Sequence, residues 1–282
     1  MAEASGAPPP ATARGEAPGR GRLEGRRILV VGAGRETHGL ADAPVGNGQA
    51  MSRLAAREGA AVACADLHRE RAREVVDEIA SEAGPAGQGR SGRAVALGAD
   101  ASREEDVVRM LAEAREALGG LDGLVCNPGI GRGMGLEGTT AEDWDAVMAT
   151  NVRSAFLCLK HGLPALPAGG AALLVSSVAG HRAGSRIPAY DASKAALSGL
   201  LRHAAREGMR RGVRVNAIVP GLIDTSLGRW ATRGRPDRTA RLPFGRQGTA
   251  WEVAYAAVFL LSDEASYVAG HELFVDAGLA VM

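Results

Sequence analysis

The chain has 282 residues, 46% of them hydrophobic, and its 33 Lys and Arg nearly balance 32 Asp and Glu. That length suits one large α/β domain with a sizeable core. A formal charge of +1 points to neither nucleic acid nor an anionic membrane as partner, and no apolar run approaches the length of a membrane span.

Residues 1–22 are rich in Ala, Pro, Gly and Arg and lack both hydrophobic periodicity and the apolar segment of a signal peptide. They read as a disordered tail ahead of a single domain over residues 23–282. From there short β-rich runs alternate with longer helical patterns. Strands are predicted at Arg27–Val31, Ala61–Ala65, Ala94–Leu97, Leu121–Cys126, Ala171–Ser176, Val213–Ile218 and Glu272–Val275. Helices are predicted at about 47–58, 68–83, 103–118, 141–162, 189–210 and 249–261. Three starts fit a capping box, Ser102 with Glu105, Thr139 with Glu142 and Thr249 with Glu252, in which two side chains satisfy free backbone amides reciprocally. Strict alternation implies a parallel sheet covered by helices on both faces, a Rossmann-type doubly wound α/β domain of about seven strands. Cys64, Cys126 and Cys158 are far apart, with no His at ligand spacing, and read as reduced core thiols of a cytoplasmic protein.

In such a sheet ligands bind beyond the carboxyl ends of the strands, so the residues just after each strand are the candidates. The first strand runs into Gly32-Ala33-Gly34, and a helical pattern opens after Gly46-Asn47-Gly48. Glycines there let backbone amides approach a pyrophosphate at a helix N-terminus, although a glycine-rich loop alone can be simply a turn. Asp66, after the second strand, can hydrogen-bond both hydroxyls of an adenosine ribose and repel a 2′-phosphate, or cap the next helix. Asp100, followed by Ala101, can face an adenine ring or close the turn before Ser102. Cys126-Asn127-Pro128-Gly129 is a tight turn that brings backbone against a ligand.

Ser177 ends the fifth strand, and Tyr190-Asp191-Ala192-Ser193-Lys194 follows. Four residues apart on a helix, the phenol and the ammonium share one face. A neighbouring ammonium favours the phenolate and lowers the tyrosine pKa, giving an acid or base usable near neutral pH. The chain has only two lysines, Lys160 and Lys194. Lysine is a compact, mobile point charge where arginine is a planar fork, so position 194 asks for that chemistry, whereas Lys160 reads as a solvated helix residue.

With these residues assembled, residues 23–280 resemble the classical short-chain dehydrogenase/reductase family. Its serine, tyrosine and lysine match Ser177, Tyr190 and Lys194, the serine thirteen residues before the tyrosine, and its asparagine matches Asn151 in Thr150-Asn151-Val152. Pro220-Gly221 matches the family's Pro-Gly, with Ile223 and Thr225 where the family contacts the nicotinamide carboxamide, and Phe274-Val275-Asp276-Ala277-Gly278 resembles its closing strand. The resemblance implies hydride transfer between a nicotinamide cofactor and a small secondary alcohol or ketone, without a metal. It implies Tyr190 as general acid or base, Lys194 lowering the phenol pKa and holding the nicotinamide ribose, and Ser177 orienting the substrate oxygen. Asn151 is then expected to help hold a water linking Lys194 to solvent. Cofactor contacts are implied at Gly32, Gly34, Gly46, Asn47, Gly48, Asp66, Asp100, Ala101, Asn127, Gly129, Tyr190, Lys194, Pro220, Gly221, Ile223 and Thr225. Asp66 favours NAD(H), while His68 and Arg69 leave room for NADP(H). The resemblance also implies a homo-oligomer, a tetramer or dimer, built through the helices at about 141–162 and 189–210.

Three departures accompany the match. The glycine loop counts seventeen residues from Gly32 to Gly48 where the family has seven, Val31 stands for the family's threonine, and Cys126-Asn127-Pro128-Gly129 stands for its NNAG turn. Ten extra residues are expected to bulge near the pyrophosphate or adenosine, either as a solvated surface loop or with Arg35 or His38 touching a phosphate. Substrate specificity is expected from Gly131–Leu136, His181–Ile187 and Leu222–Leu242, the last as a closing lid. Arg132, Arg182, Arg186 and Trp230 suit an acidic or aromatic substrate, or are surface residues. Two rival readings stay open, a non-catalytic dinucleotide-binding protein on the same fold and an isomerase or dehydratase that recycles its cofactor.

Overall fold

Successive side chains of a strand point to opposite faces, and β1 (Arg27–Val31) is apolar on both. Ile28 and Val30 join one buried cluster while Leu29 and Val31 join another, so the strand must lie inside a sheet covered twice. The computed structural model, which describes residues 10–82, 93–233, 239 and 242–282, contains that sheet. β1 is joined by β2 (Ala61–Asp66), β3 (Ala94–Gly98), β4 (Gly123–Cys126), β5 (Ala171–Val175), β6 (Arg214–Pro220) and β7 (Glu272–Val275). The strand order is β3-β2-β1-β4-β5-β6-β7, and every pairing is parallel.

One face is covered by α2 (Asn47–Arg57), α3 (Arg69–Glu82) and α9 (Ala250–Leu261). The other is covered by α4 (Glu104–Leu118), α6 (Ser154–Gly162) and α7 (Pro188–Met209). Three further α-helices are α1 (Ala11–Arg14), α5 (Ala141–Met148) and α8 (Ser226–Thr232). The chain runs outward from β1 to β3 and then returns to place β4 on the other side of β1. That reversal opens a crevice beyond the carboxyl ends of β1 and β4.

The predicted elements are present, with local differences. The helix expected over 141–162 is interrupted by a π-helical turn, Ala149–Arg153, and residue 83 of the helix expected at 68–83 lies outside the described residues. Thr249 and Glu252 form the predicted capping box. At α5, however, it is Thr140 that accepts from the Asp143 N–H, 3.1 Å away, while Thr139 donates to the Gly135 carbonyl. Ser102 does not cap α4, because Asp100 captures it first: both the Ser102 N–H and its hydroxyl donate to Asp100 Oδ1.

Of the segment expected to be disordered, residues 1–9 lie outside the described residues, but residues 10–22 are packed. Thr249 Oγ1 donates to the Ala13 carbonyl, and Arg57 Nη1 donates to the carbonyls of Gly15 and Ala17. A Cβ at Gly15 would fall 2.1 Å from the Trp251 ring, and the guanidiniums of Arg53 and Arg57 also lie over that ring. Further on, the fully buried Glu58 carboxylate accepts from the N–H groups of Arg20 and Arg22 and from the Arg22 guanidinium. The segment is a strap across α2 and α9, held largely through its backbone.

Candidate active site

Beyond Val31 the chain turns at Gly32 with a φ of 75°, a left-handed conformation that favours glycine. A Cβ there would lie 2.9 Å from the Pro128 nitrogen, and one at Gly48 would lie 2.0 Å from the Gly32 oxygen. Asn127 Nδ2 donates to that same oxygen across 2.7 Å. These approaches lock the end of β1, the end of β4 and the first turn of α2 together.

The strand ends enclose a cleft of about 930 Å³, a size typical of ligand sites. Gly32, Gly34, Gly46, Asn47, Asp66, Asn127, Gly129, Ser177, Tyr190, Lys194, Pro220, Gly221, Ile223 and Thr225 all line it. Gly48 and Asn151 stand behind the wall, as supports rather than lining. Asp100 and Ala101 do not reach it: the Asp100 carboxylate is turned onto Ser102, and the Asp100 N–H donates to Asp106. Of the two roles expected for Asp100, the structure contains the turn before Ser102. Asn47 Oδ1 and Ser226 Oγ are buried without a hydrogen-bond partner, and both residues line the cleft. Orphaned polar atoms beside an open helix N-terminus fit a polar, anionic ligand such as a dinucleotide. Asp66 accepts from the Gly34 N–H at 3.0 Å and the His68 N–H at 3.1 Å, and each carboxylate oxygen keeps a further acceptor site.

A short turn after β5, Val178–Gly180, folds Ser177 back over α7. The approach is so close that a Cβ at Gly180 would meet the Lys194 carbonyl carbon at 2.6 Å. The Ser177 hydroxyl oxygen accepts from the Ala179 N–H. Lys194 is buried and donates Nζ to the Val175 carbonyl across 2.8 Å, 5.6 Å from the centre of the Tyr190 ring. Burial pushes its pKa down to about 8. Tyr190 departs from expectation. Burial raises its pKa above the ordinary phenol value, and a hydrogen bond from Ser177 only partly opposes the rise. Spacing alone predicted a shift downward, whereas the penalty for an enclosed phenolate, with the Asp191 charge, sets the direction.

Asn151 sits on the π-helical turn, a local irregularity common at functional sites. Its Oδ1 accepts from the Ile130 N–H at 2.8 Å, and its Nδ2 donates to the Ile130 carbonyl and to Ser193 Oγ. Ser193 Oγ in turn donates to the Tyr190 carbonyl. Asn151 thereby ties the loop after β4 to the helix that carries Tyr190 and Lys194.

The lengthened loop is not a free bulge. Arg35 Nη1 donates to the Ala43 carbonyl, Glu36 pairs with Arg71 at 2.5 Å, and the His38 ring stacks on Trp230 of α8 with 6.3 Å between centroids. Arg229 Nη1 also donates to the Asp42 carbonyl, so the loop meets α8, the described part of the predicted lid; residues 234–238 and 240–241 lie outside the described residues. Sequence reasoning missed Glu36 and Arg71, which both line the cleft. Arg69 does not line it, its Cβ lying against Gly98. At the far end the wall is mainly apolar, with Ile130, Ile187, Leu222 and Leu227 and the two charged residues Arg132 and Arg182. Arg182 also donates to the Leu279 carbonyl.

A doubly wound parallel sheet, a glycine turn at its switch point and a Tyr–Lys pair on α7 lining the cleft beyond the strand ends define a nicotinamide-dependent oxidoreductase. Comparison with known proteins agrees. The family model described as enoyl-(acyl carrier protein) reductase matches residues 43–280. The chain is 32% identical to a 3-oxoacyl-[acyl-carrier-protein] reductase of Thermotoga maritima, covering 92% of this chain and 100% of that one. It is 33% identical to 2-(S)-hydroxypropyl-CoM dehydrogenase 3 of Xanthobacter autotrophicus, covering 93% and 99%. A crystal structure of a short-chain dehydrogenase from Burkholderia cenocepacia in complex with NADP superposes with a TM-score of 0.80 at 32% identity, covering 93% and 100%. The chain belongs to the short-chain dehydrogenase/reductase family, NAD(P)-dependent oxidoreductases that interconvert secondary alcohols and ketones.

Proposed function

We propose that the protein is an NAD(H)-preferring member of this family acting on a small, largely apolar secondary alcohol or its ketone. The observation that carries the reading is Tyr190 at the cleft wall with Ser177 and Lys194 beside it. When bound, the nicotinamide supplies or accepts the hydride. Tyr190 passes its phenolic proton to the carbonyl oxygen in reduction and takes it back in oxidation. Ser177 donates a hydrogen bond to the same oxygen, fixing it within reach of the phenol. Lys194 has two N–H donors beyond the one given to Val175, and these serve the nicotinamide ribose hydroxyls. Asn151 positions Ile130 and Ser193 behind the reacting groups and contributes to a water path from Lys194. Oxidation of the alcohol releases a proton, so it gains as pH rises.

Preference for NAD(H) is supported by Asp66, whose carboxylate would face an adenosine ribose and oppose a 2′-phosphate. Half-exposed Trp144 and Phe156 on α5 and α6 support assembly through these helices into a dimer or tetramer. The buried thiols of Cys64, Cys126 and Cys158 accord with a cytoplasmic setting, and no described helix is long and apolar enough to cross a membrane. Tyr190→Phe tests the chemistry. Turnover of a secondary alcohol with NAD⁺ should fall at least a thousandfold, on the order of a lost acid–base group, while NADH binding by fluorescence titration stays within about threefold. Near-normal turnover in this variant would overturn the mechanism.

A further inference from the structure

We propose that Glu36, carried by the extra residues of the glycine loop, sets cofactor choice jointly with Asp66 by holding Arg71 out of use as a ligand for a ribose 2′-phosphate, a role that rests on the NAD(H) reading above. The geometry converges on Gly34. Its N–H donates to Asp66 Oδ2, and a Cβ on it would lie 2.7 Å from that oxygen and 2.6 Å from Arg71 Cβ. Asp66 and Arg71 therefore stand side by side under the loop, where the adenosine ribose of a bound dinucleotide would lie.

Of the other basic residues near this wall, His68 also lines the cleft. Arg35 is held by the Ala43 carbonyl, and Arg69 lies off the cleft against Gly98. Arg71 is the guanidinium in place, half-exposed and lining the cleft, and an arginine there would normally grip a phosphate through two parallel N–H bonds. Glu36 occupies it instead, Oε2 to Nη2 at 2.5 Å. Loop anchoring keeps Glu36 there: its Oε1 accepts from the His38 N–H, and His38 is stacked on Trp230. A 2′-phosphate would thus meet two carboxylates and a guanidinium already neutralised, whereas a ribose hydroxyl needs only an acceptor, which Asp66 supplies.

The test is equilibrium titration of the purified full chain with NADH and with NADPH, followed by cofactor fluorescence, for the parent, Glu36→Gln, Arg71→Met and the double variant. Glu36→Gln is expected to lower the Kd for NADPH about tenfold relative to that for NADH, on the scale of one freed charge-assisted contact. The gain should vanish in the double variant. Arg71→Met alone should not raise NADPH affinity and should weaken it, since it leaves the Glu36 carboxylate without its cation beside Asp66. An unchanged NADPH-to-NADH ratio in Glu36→Gln, a gain that survives loss of Arg71, or a gain of NADPH affinity in Arg71→Met would each overturn the proposal. Preference of the parent for NADPH would sink the NAD(H) reading by itself, because the role of Glu36 is read from the change in ratio between variants.

Discussion

At Lys194 the demands of chemistry and of folding oppose each other, and the opposition can be measured. The side chain is 3% exposed, and its Nζ donates to the Val175 carbonyl. Burial lowers its pKa from 10.5 to about 8. At about 1.4 kcal/mol per pKa unit, holding the charge inside costs on the order of 3 kcal/mol near pH 7. Lys194→Met removes the charge and keeps most of the volume, leaving the Val175 carbonyl without its partner at a cost of about 1 kcal/mol. The variant should therefore be inactive yet about 2 kcal/mol more stable than the parent at pH 7. The pH dependence is the sharper check. Between pH 8 and pH 10.5 the unfolded parent binds a proton that the folded parent does not, so the parent gains stability as pH rises, by up to about 1.4 kcal/mol per unit. The variant lacks that gain, and its advantage should shrink and then reverse across this window. Urea unfolding followed by circular dichroism at pH 7, 8, 9 and 10 reads the difference directly, and titrations common to both proteins cancel. Parallel stability curves would refute the reasoning.

Two further substitutions probe the strap and the glycine turn. Arg22→Met leaves the buried Glu58 carboxylate without its guanidinium and should destabilise the protein by about 3 kcal/mol near pH 7 in urea unfolding. Burial alone would raise the Glu58 pKa, but the Arg22 guanidinium and the N–H groups of Arg22 and Arg20 hold it below the usual carboxylate value. Its stabilisation is thus present above the ordinary carboxylate pKa and lost as pH falls through the depressed one, so parent and variant should converge once pH falls below that depressed value; a constant gap would count against it. Gly48→Ala places a Cβ 2.0 Å from the Gly32 oxygen, and the first turn of α2 must shift. A stability loss of about 1–3 kcal/mol and roughly tenfold weaker NADH binding are expected, and unchanged binding in a fluorescence titration would contradict the locked turn.

What the sequence disclosed follows from which interactions depend on residue type. Alternating β and α patterns and the Ser177–Tyr190–Lys194 spacing were legible because burial and proton transfer each require particular side chains. The strap over residues 10–22 was not, since backbone carbonyls of Ala13, Gly15 and Ala17 hold it and every residue carries one. Arg71 could not be told from Arg69 or Arg73, because only the approach of Gly34 to Arg71 selects it. The direction of the Tyr190 shift depends on how deeply its oxygen is enclosed, a quantity that spacing along a helix does not contain. Asp100 could equally serve a ligand or its own turn, and the two Ser102 donors that engage its Oδ1 cannot be read from spacing.

A Cβ at Gly46 would lie only 3.8 Å from the Gly34 oxygen, so the lengthened loop departs and returns at nearly one point. To β1 and α2 the size of that excursion is almost immaterial, since closing a flexible loop of twice the length costs only about 0.6 kcal/mol more. The segment behaves as a cassette clipped into the scaffold at two glycines. Its contents overhang the cleft beside Asp66 and Arg71, so a change there reaches the ligand wall first and the strands of the sheet least.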